Sequence, residues 1–408
     1  MIMAPRRYSN AGWLAVVTML LICGAGYAGT DALSLESTTV QIGELQYRVR
    51  APAGYRLEML TDKLAGPRLF TFDSNGDLLL GSKGGYVYRL RPPYHSPETL
   101  LSLASYPHSV ARRGSDLLIA QQDGLYRVPY QPGQEQIAIR DVELMAKLPA
   151  GSGHSSRTVA VGPDRRIYVS LGISGNCSDQ YLDDSYPFHE RRGGIMWLDE
   201  SAQPPRWRTY ASGFRNPVGF DWRPGQNIMY ASNNGPDHHG FEWPPEYFSR
   251  VDAGSFHGMP WFQYDGERIK RDDCIKRPSP RPISEVTKPV ATFPARNAPM
   301  AVAFISSTFT DYHMVGDAVV ALHGSWGTSP TGGFIGDPAS RREPKLVLVR
   351  FNQQGEAARV DDLLTGFQLA NGQRWARPVG VGVGPDGAIY FTSDSGANAL
   401  FRLSPVPD

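Results

Sequence analysis

The chain has 408 residues and a net charge of +1, because 41 Lys and Arg residues stand against 40 Asp and Glu residues. This balance excludes the strong basic excess with which proteins bind nucleic acids or acidic membrane surfaces. The 43 glycines and 33 prolines interrupt helices and argue against a helical bundle. Three cysteines are too few for a disulfide-rich scaffold or a zinc ribbon.

The first segment of the chain predicts export. Arg6 and Arg7 precede an apolar run over 11–25, and small residues follow it. This order is typical of a secretory signal peptide, so we expect 1–28 to be removed and 29–408 to form a single periplasmic or secreted domain without a membrane span. An uncleaved anchor helix is the alternative, but the run is short for a span of about 20 residues.

Six segments then repeat one pattern, in which a short apolar strand, a polar turn and a second apolar strand follow one another. Polar turns with Asn-Gly or Pro-Asp-Gly between apolar strands are hairpin signals. In chain order the segments are 69–80, 109–120, 158–169, 218–230, 301–322 and 379–391. Further strands follow at 86–90, 124–128 and 399–403. The repeat predicts an all-β fold, a six-bladed β-propeller with long inter-strand loops, and a pair of β-sandwiches is the alternative.

Polar motifs recur at corresponding ends of the third and fourth units, where a propeller gathers its loops around one mouth of the channel. His154 stands just before the third unit and is able to accept a proton near neutral pH. Arg215 and Asn216 precede the fourth unit and offer a planar cation and an amide. The loop at 234–239 offers backbone carbonyls for calcium, or two adjacent histidines for a transition metal.

Two more motifs belong to the fifth and sixth units. His323, Ser325 and Trp326 follow the fifth hairpin, and Arg377 precedes the sixth unit. The Trp326 ring is suited to stacking on a planar ring or a sugar, and Arg377 is suited to pairing with an anion. Each motif alone is also typical of an ordinary turn, a surface charge or core packing. Their alignment with the repeat favours one shared site.

Two cysteines remain outside the predicted signal peptide. Cys177 and Cys274 both stand in polar loop sequence. In an oxidising compartment they are able to form one disulfide that closes a long loop, and two unpaired thiols are the alternative.

Taken together, the motifs resemble a known family. The ordered set is Gly-His-x-x-Arg at 153–157, Arg-Asn-Pro-Val-Gly at 215–219, Asn-Gly-Pro-Asp at 234–237, His-Gly-Ser-Trp at 323–326 and Arg-Pro-Val-x-Val at 377–381. It is similar to the glucose/sorbosone dehydrogenase family of soluble sugar dehydrogenases that depend on pyrroloquinoline quinone (PQQ), and nearest to its sorbosone type. The similarity covers about 50–408, and it is specific as an ordered set.

The resemblance implies a six-bladed propeller that holds PQQ over the channel with Ca²⁺ and oxidises an aldose or a related sugar aldehyde. It implies that His154 is the general base and that Arg215 and Asn216 lie near the quinone oxygens. Gly235 and Pro236 match the loop whose carbonyls bind calcium. The cofactor-binding set expected from the matching motifs is Arg157, Asn216, His323, Ser325, Trp326 and Arg377.

The sequence also departs from the family pattern. His323 and Val379 stand where glucose-oxidising members carry a lysine and a second arginine, Arg296-Asn297 replaces a histidine of the sorbosone type, and 331–343 is an insertion. A non-redox propeller that binds carbohydrate or a protein is the alternative function, and a calcium-dependent lactonase is a third. The electron acceptor, a quinone or a cytochrome, stays open, since the chain has no haem-attachment or nicotinamide motif.

Overall fold

The computed structural model describes residues 1, 32–309, 311–326, 329, 336–352 and 354–406. Apart from residue 1, the predicted signal peptide lies outside the described residues, and so does most of the first half of the 331–343 insertion. Leu33–Asp408 forms one compact unit. None of the helices among the described residues is long and apolar enough to cross a membrane.

Most of the regular structure is antiparallel sheet. An N-terminal hairpin is formed by β1 (Leu35–Ile42) and β2 (Leu45–Pro52), and β3 (Tyr55–Thr61) follows it. Six four-stranded sheets make a six-bladed β-propeller, as the repeat predicted. In five of them the strands lie side by side in chain order, and the sixth takes β3 as its outermost strand.

The strands are grouped by blade. Blade 1 contains β4 (Pro67–Phe72), β5 (Leu78–Ser82), β6 (Tyr86–Leu90) and β7 (Pro97–Ser102). Blade 2 contains β8 (Ser109–Arg113), β9 (Asp116–Ala120), β10 (Gly124–Pro129) and β11 (Glu143–Lys147). Blade 3 contains β12 (Arg157–Val161), β13 (Ile167–Leu171), β14 (Gly194–Asp199) and β15 (Arg206–Ser212).

The second half of the ring is less regular. Blade 4 contains β16 (Phe220–Arg223), β17 (Ile228–Asn233), β18 (Glu246–Val251) and β21 (Ala291–Phe293), with a small hairpin of β19 (Phe262–Tyr264) and β20 (Ile269–Arg271) inserted before its last strand. Blade 5 contains β22 (Pro299–Phe304), β23 (Ala318–Leu322), β24 (Lys345–Phe351) and β25 (Ala357–Leu364). Blade 6 contains β26 (Pro378–Val383), β27 (Ile389–Ser395), β28 (Ala397–Pro405) and β3. Short 3₁₀ helices lie at Ile139–Asp141, Phe188–Glu190, Ile283–Glu285, Tyr312–Met314 and Pro338–Ser340.

The turn between the first two strands of a blade is fixed by an aspartate. In blade 1 the carboxylate of Asp73 accepts hydrogen bonds from the backbone N–H groups of Asn75 (2.8 Å) and Asp77 (3.0 Å). Gly76 has a φ of 81°, a conformation that glycine adopts at no steric cost. The aspartates of the Pro-Asp turns in blades 3 and 6 accept equivalent bonds from backbone N–H groups. In these three blades the hairpin was therefore recognisable from the sequence, because the turn carries its own local signal.

The core lies between neighbouring blades. The second strands β5, β13 and β23 are buried along their whole length, which explains their continuous apolar sequence. Leu79 of blade 1 packs in one cluster with Leu117 and Ile119 of blade 2. Phe391 of blade 6 packs in another cluster with Leu348 of blade 5. Each blade is therefore stabilised by the apolar faces of its neighbours rather than by a core of its own.

The ring is closed by a strand from the beginning of the domain. β3 pairs with β28, with Leu57 opposite Leu403 and Tyr55 opposite Pro405. β3 is thus the outermost strand of blade 6, and its pairing with β28 joins the beginning of the domain to its end. The β1–β2 hairpin packs on the same side of the ring, since Val40 and Val49 join the cluster between blades 5 and 6.

The first strand of each blade lines the central channel, and the six strands point the same way around it. Residues from β4, β8, β12, β16, β22 and β26 line a cavity of about 510 Å³. Because the six strands share one direction, their N-terminal ends meet at one mouth of the channel. The loops that carry the predicted site residues end at this mouth.

Candidate functional site

His154 lies in the loop that enters β12 and is held from two sides. Its Nδ1 is hydrogen-bonded to the carbonyl oxygen of Ile173, and its own carbonyl accepts bonds from Arg157 (3.0 Å) and Arg192 (2.8 Å). Burial and the nearby cation of Arg215 lower the pKa of His154 to about 3. The imidazole is therefore neutral with its proton on Nδ1, and its Nε2 lone pair makes no hydrogen bond to the described residues.

Arg215 and Asn216 precede β16 and are positioned by neighbouring asparagines. The side chain of Asn233 accepts bonds from both of their backbone N–H groups, each 3.0 Å long. The guanidinium of Arg215 donates to the side-chain oxygen of Asn176 at 2.8 Å. Asn216 donates to the side-chain oxygen of Asn234 at 2.9 Å. Burial lowers the pKa of Arg215, so this guanidinium stays a fixed and poorly solvated cation.

Gly172 lies between His154 and Asn216. It follows β13, and a Cβ placed on it would lie 2.8 Å from the Cβ of His154 and 3.0 Å from the Cγ of Asn216. Real Cβ atoms need about 3.5–4.0 Å to a neighbouring carbon. Only a residue without a side chain therefore fits between His154 and Asn216 at this position.

The two remaining cysteines are joined beside this group. Cys177 and Cys274 form a disulfide with their Cα atoms 6.2 Å apart. Asn176, next to Cys177, bonds both Arg215 and the backbone N–H of Asp237, the latter at 3.0 Å. The crosslink thus anchors the loop that orients Arg215.

The loop at 235–236 contacts two buried charged residues. The N–H of Gly235 donates to the carboxylate of Glu246, and burial raises the pKa of that carboxylate to about 7. The carbonyl of Pro236, expected to face calcium, instead accepts a hydrogen bond from the guanidinium of Arg296. Arg296 is only 2% exposed, and burial lowers its pKa.

The first, fifth and sixth blades supply a buried ion-pair cluster. Asp394, at the end of β27, accepts bonds from Arg68 (2.5 Å) and His323 (2.7 Å), and Lys83 lies 2.7 Å away. Burial opposes ionisation of Asp394, but these three groups together hold its pKa well below the usual range. Arg68 also contacts the ring of His108 at 3.2 Å.

Arg377 and Trp326 form the part of the mouth nearest to solvent. Arg377 donates to the carbonyls of His323 and Gly324, both at 2.9 Å, and its guanidinium lies 5.3 Å from the centre of the Trp326 ring. The Trp326 side chain is 65% exposed. Burial lowers the pKa of Arg377 to about 10. Ser325 is buried, and its hydroxyl accepts a bond from the backbone of Arg342, so it shapes the loop rather than the open mouth.

The mouth is rich in buried cations and poor in carboxylates. Its buried arginines include Arg68, Arg157, Arg192, Arg215, Arg296 and Arg377. Among the described residues Arg157, Arg192 and Arg377 donate only to backbone carbonyls. Burial and neighbouring Arg192 lower the pKa of Arg157 to about 9, and the carboxylate of Asp123 offsets only part of this effect. Such an arrangement attracts a polyanionic ligand.

The site residues predicted from the sequence form two groups in the structure. His154, Arg215 and Asn216 gather on one side of the mouth, with Arg157 behind them. His323 and Arg377 gather on the other side. Sequence reasoning missed Arg68, His108, Arg192 and Asp394. The sequence carried one signal for Arg68. This residue stands directly before the first repeat segment, as Arg157 stands directly before the third.

Comparisons with known proteins agree with this fold. An uncharacterized protein from Borreliella burgdorferi is 23% identical over 390 residues, covering 92% of this chain and 95% of that protein. A calcium structure of the Trichoderma reesei protein of carbohydrate-active enzymes family AA12 matches with a TM-score of 0.73 and 17% identity, over 92% of this chain and 99% of that chain. The holo form of the pyranose dehydrogenase PQQ domain from Coprinopsis cinerea matches with a TM-score of 0.69 and 19% identity, over 90% and 98%.

The family itself follows from the sequence match. The TrAA12-like family model covers residues 49–242 and 266–403, which is most of the described propeller. The sorbosone type is a finer prediction that this match does not address. The chain belongs to the TrAA12-like family.

Proposed function

We propose that the protein is a PQQ-dependent dehydrogenase that oxidises an aldose or a related sugar aldehyde. The observation that carries the proposal is a group of buried arginines beside a neutral histidine. Arg157, Arg192 and Arg377 donate only to backbone carbonyls among the described residues, and the Nε2 of His154 makes no hydrogen bond to them. PQQ carries three carboxylates, so its binding requires cationic partners. A sugar hydroxyl requires a base that is unprotonated at neutral pH, and His154 meets that requirement.

The residues have separable roles in this proposal. PQQ, when bound, supplies the acceptor for the hydride equivalent of the sugar. The Nε2 of His154 takes the hydroxyl proton, while the Nδ1 bond to Ile173 keeps the ring in the required tautomer. Arg215 and Asn216 would donate N–H groups to oxygens of bound PQQ. Arg377 would hold a carboxylate of PQQ, and the exposed Trp326 ring would offer a flat surface for stacking.

Calcium fits the described residues less well than PQQ does. A resident ion would need the carbonyl of Pro236, and the guanidinium of Arg296 already occupies that oxygen. A carbonyl-bound Ca²⁺ lies about 2.3–2.6 Å from its ligand, where it would meet a second positive charge. No step of the proposed chemistry therefore depends on an ion at this loop.

The relatives support the cofactor and leave the substrate open. A Coprinopsis neighbour is a PQQ domain of a pyranose dehydrogenase. We further propose that residues 1–28 are a signal peptide, that 29–408 form the single exported domain and that the protein works in the periplasm or outside the cell. A quinone or a cytochrome is the proposed class of electron acceptor.

The test is a titration of the purified protein with PQQ, followed by a dye-reduction assay over a panel of sugars. We expect saturable PQQ binding and turnover of at least one aldose. Arg377→Gln should weaken PQQ binding about 10- to 100-fold, the usual worth of a charge-assisted hydrogen bond. Arg112→Gln is the matched control, because Arg112 lies at the other end of its inner strand and bonds the carbonyls of Tyr130 and Gly114.

The outcomes separate the competing functions. His154→Ala should keep PQQ affinity and lose turnover. Unchanged turnover in this variant would remove His154 as the base. No PQQ binding by the wild-type protein would refute the dehydrogenase and favour the non-redox propeller.

A further inference from the structure

Arg296 is a buried cation surrounded by the carbonyls of one loop. It stands in the turn before β22 with a φ of 71°, in the left-handed region that arginine rarely adopts. Its Nε donates to the carbonyl of Gly240 at 2.7 Å, and its Nη2 donates to the carbonyl of Trp243 at 2.5 Å. Its Nη1 donates to the carbonyl of Pro236. Three nitrogens of one guanidinium thus meet three carbonyl oxygens.

Converging carbonyl oxygens are also the ligands that a hard divalent cation requires. Here the positive charge at their centre belongs to a side chain. The guanidinium stays charged at all ordinary pH values, and it cannot leave its carbonyls without exposing them unpaired in a buried place. A calcium ion at Pro236 would have to displace Arg296 and would be repelled by it.

The buried carboxylate beside this loop offers calcium little compensation. Glu246 is 2% exposed, and its two carboxylate oxygens accept bonds from the backbone N–H groups of Gly235 and Ala298. These bonds direct both oxygens to the protein backbone. Glu246 therefore presents no free carboxylate oxygen to an ion beside Arg296.

From this geometry we propose that Arg296 takes the place of a metal ion in this loop, so that the protein binds its anionic cofactor without calcium. The inference rests on the proposed function, because the cofactor in question is PQQ. Arg296 is then a positioning residue. It supplies the fixed positive charge of the 235–243 loop and holds that loop in shape through the three carbonyls. The calcium requirement expected from the resemblance then disappears.

Binding, rather than turnover, tests the proposal. PQQ is titrated into the full-length apoprotein, with tryptophan fluorescence as the signal, once in excess EDTA and once in excess CaCl₂. We expect the two Kd values to agree within about twofold. Arg296→Gln should lose at least tenfold in PQQ affinity in EDTA and regain part of it in CaCl₂, because the vacated carbonyls then accept the ion. Arg296→Lys should keep the affinity calcium-independent.

A matched control and a second readout keep the outcomes distinct. Arg342→Gln removes a neighbouring arginine that bonds the carbonyl of Phe241 in the same loop but not that of Pro236, and it should behave as the wild type. Calorimetric titration with calcium alone should show one more bound ion in Arg296→Gln than in the wild type.

Three results would overturn the inference. If the wild type binds PQQ only in CaCl₂, the proposed function stands and the inference fails. If Arg296→Gln folds and behaves as the wild type in EDTA, Arg296 has no such role. If PQQ binds in neither buffer, the proposed function and the inference fail together. Should Arg296→Gln not fold, the wild-type comparison and Arg296→Lys still decide.

Discussion

Gly172 is the position at which one added carbon atom should disable the site without unfolding the protein. In Gly172→Ala the new Cβ would lie 2.8 Å from the Cβ of His154 and 3.0 Å from the Cγ of Asn216. Ordinary carbon contacts begin at about 3.5 Å, so His154 must move by about 0.7 Å or more. A displacement of about 1 Å at a catalytic group costs about 100-fold in rate. We therefore expect turnover to fall about 10- to 100-fold.

The same substitution should cost only moderate stability. Overpacking by one methyl group typically costs about 1–3 kcal/mol. Gly225→Ala is the matched control, since Gly225 lies in the β16–β17 turn with a φ of 77° and no atom within 4 Å of an added Cβ. It should lose about 1 kcal/mol of stability through backbone strain and keep full turnover.

The assay is dye reduction by the PQQ-loaded protein with a saturating sugar, together with urea unfolding of each variant. A Gly172→Ala protein with wild-type turnover would show that His154 and Asn216 do not act across this contact. Equal losses of turnover in Gly172→Ala and Gly225→Ala would show that lost stability, and not displaced side chains, causes the effect.

Two further predictions concern buried carboxylates. Burial raises the pKa of Glu246 to about 7 in the folded state, so between about pH 4.5 and 7 the folded protein keeps a proton that the unfolded chain has lost. The free energy of unfolding should therefore fall as the pH rises through this window, and urea titrations of Glu246→Gln should show a flatter dependence; an equally steep one would contradict the assignment. Asp394→Asn leaves the Arg68 guanidinium without its carboxylate and should cost about 3–5 kcal/mol in urea unfolding. Lys83→Gln removes a half-exposed partner and should cost less than about 1 kcal/mol, so similar losses in the two variants would contradict a buried Asp394 ion pair.

The fold was predictable because its repeat is encoded locally. Each of the six predicted segments covers the first two strands of a blade, where a polar turn and two apolar strands stand together in sequence. The closing strand β3 was not predicted, because its partner β28 lies more than 300 residues away and no turn links them. The inserted hairpin β19–β20 was missed because its strands have three residues each and carry little pattern.

The site was predictable where a motif stands next to its strand and not where it depends on a distant partner. His154 and Arg215 were found because they enter inner strands within recognisable motifs. Asp394 was missed because its partners, Arg68 and His323, come from two other blades. The contact between Arg296 and Pro236 joins two loops 60 residues apart, and the sequence showed Arg296 only as a departure from a pattern.

The contact between the first and the last blade lies within the candidate site. Arg68 of the first blade bonds Asp394 of the last blade, and the carbonyl of Arg68 accepts a bond of 2.7 Å from the hydroxyl of Thr392. A ligand that binds only when both blades are in place would therefore stabilise the closed ring against a ring opened between β3 and β28. By mass action, a ligand at about 100 times its Kd stabilises the closed form by about 2.7 kcal/mol. Ligand binding at this mouth and the pairing of β3 with β28 are thus thermodynamically linked.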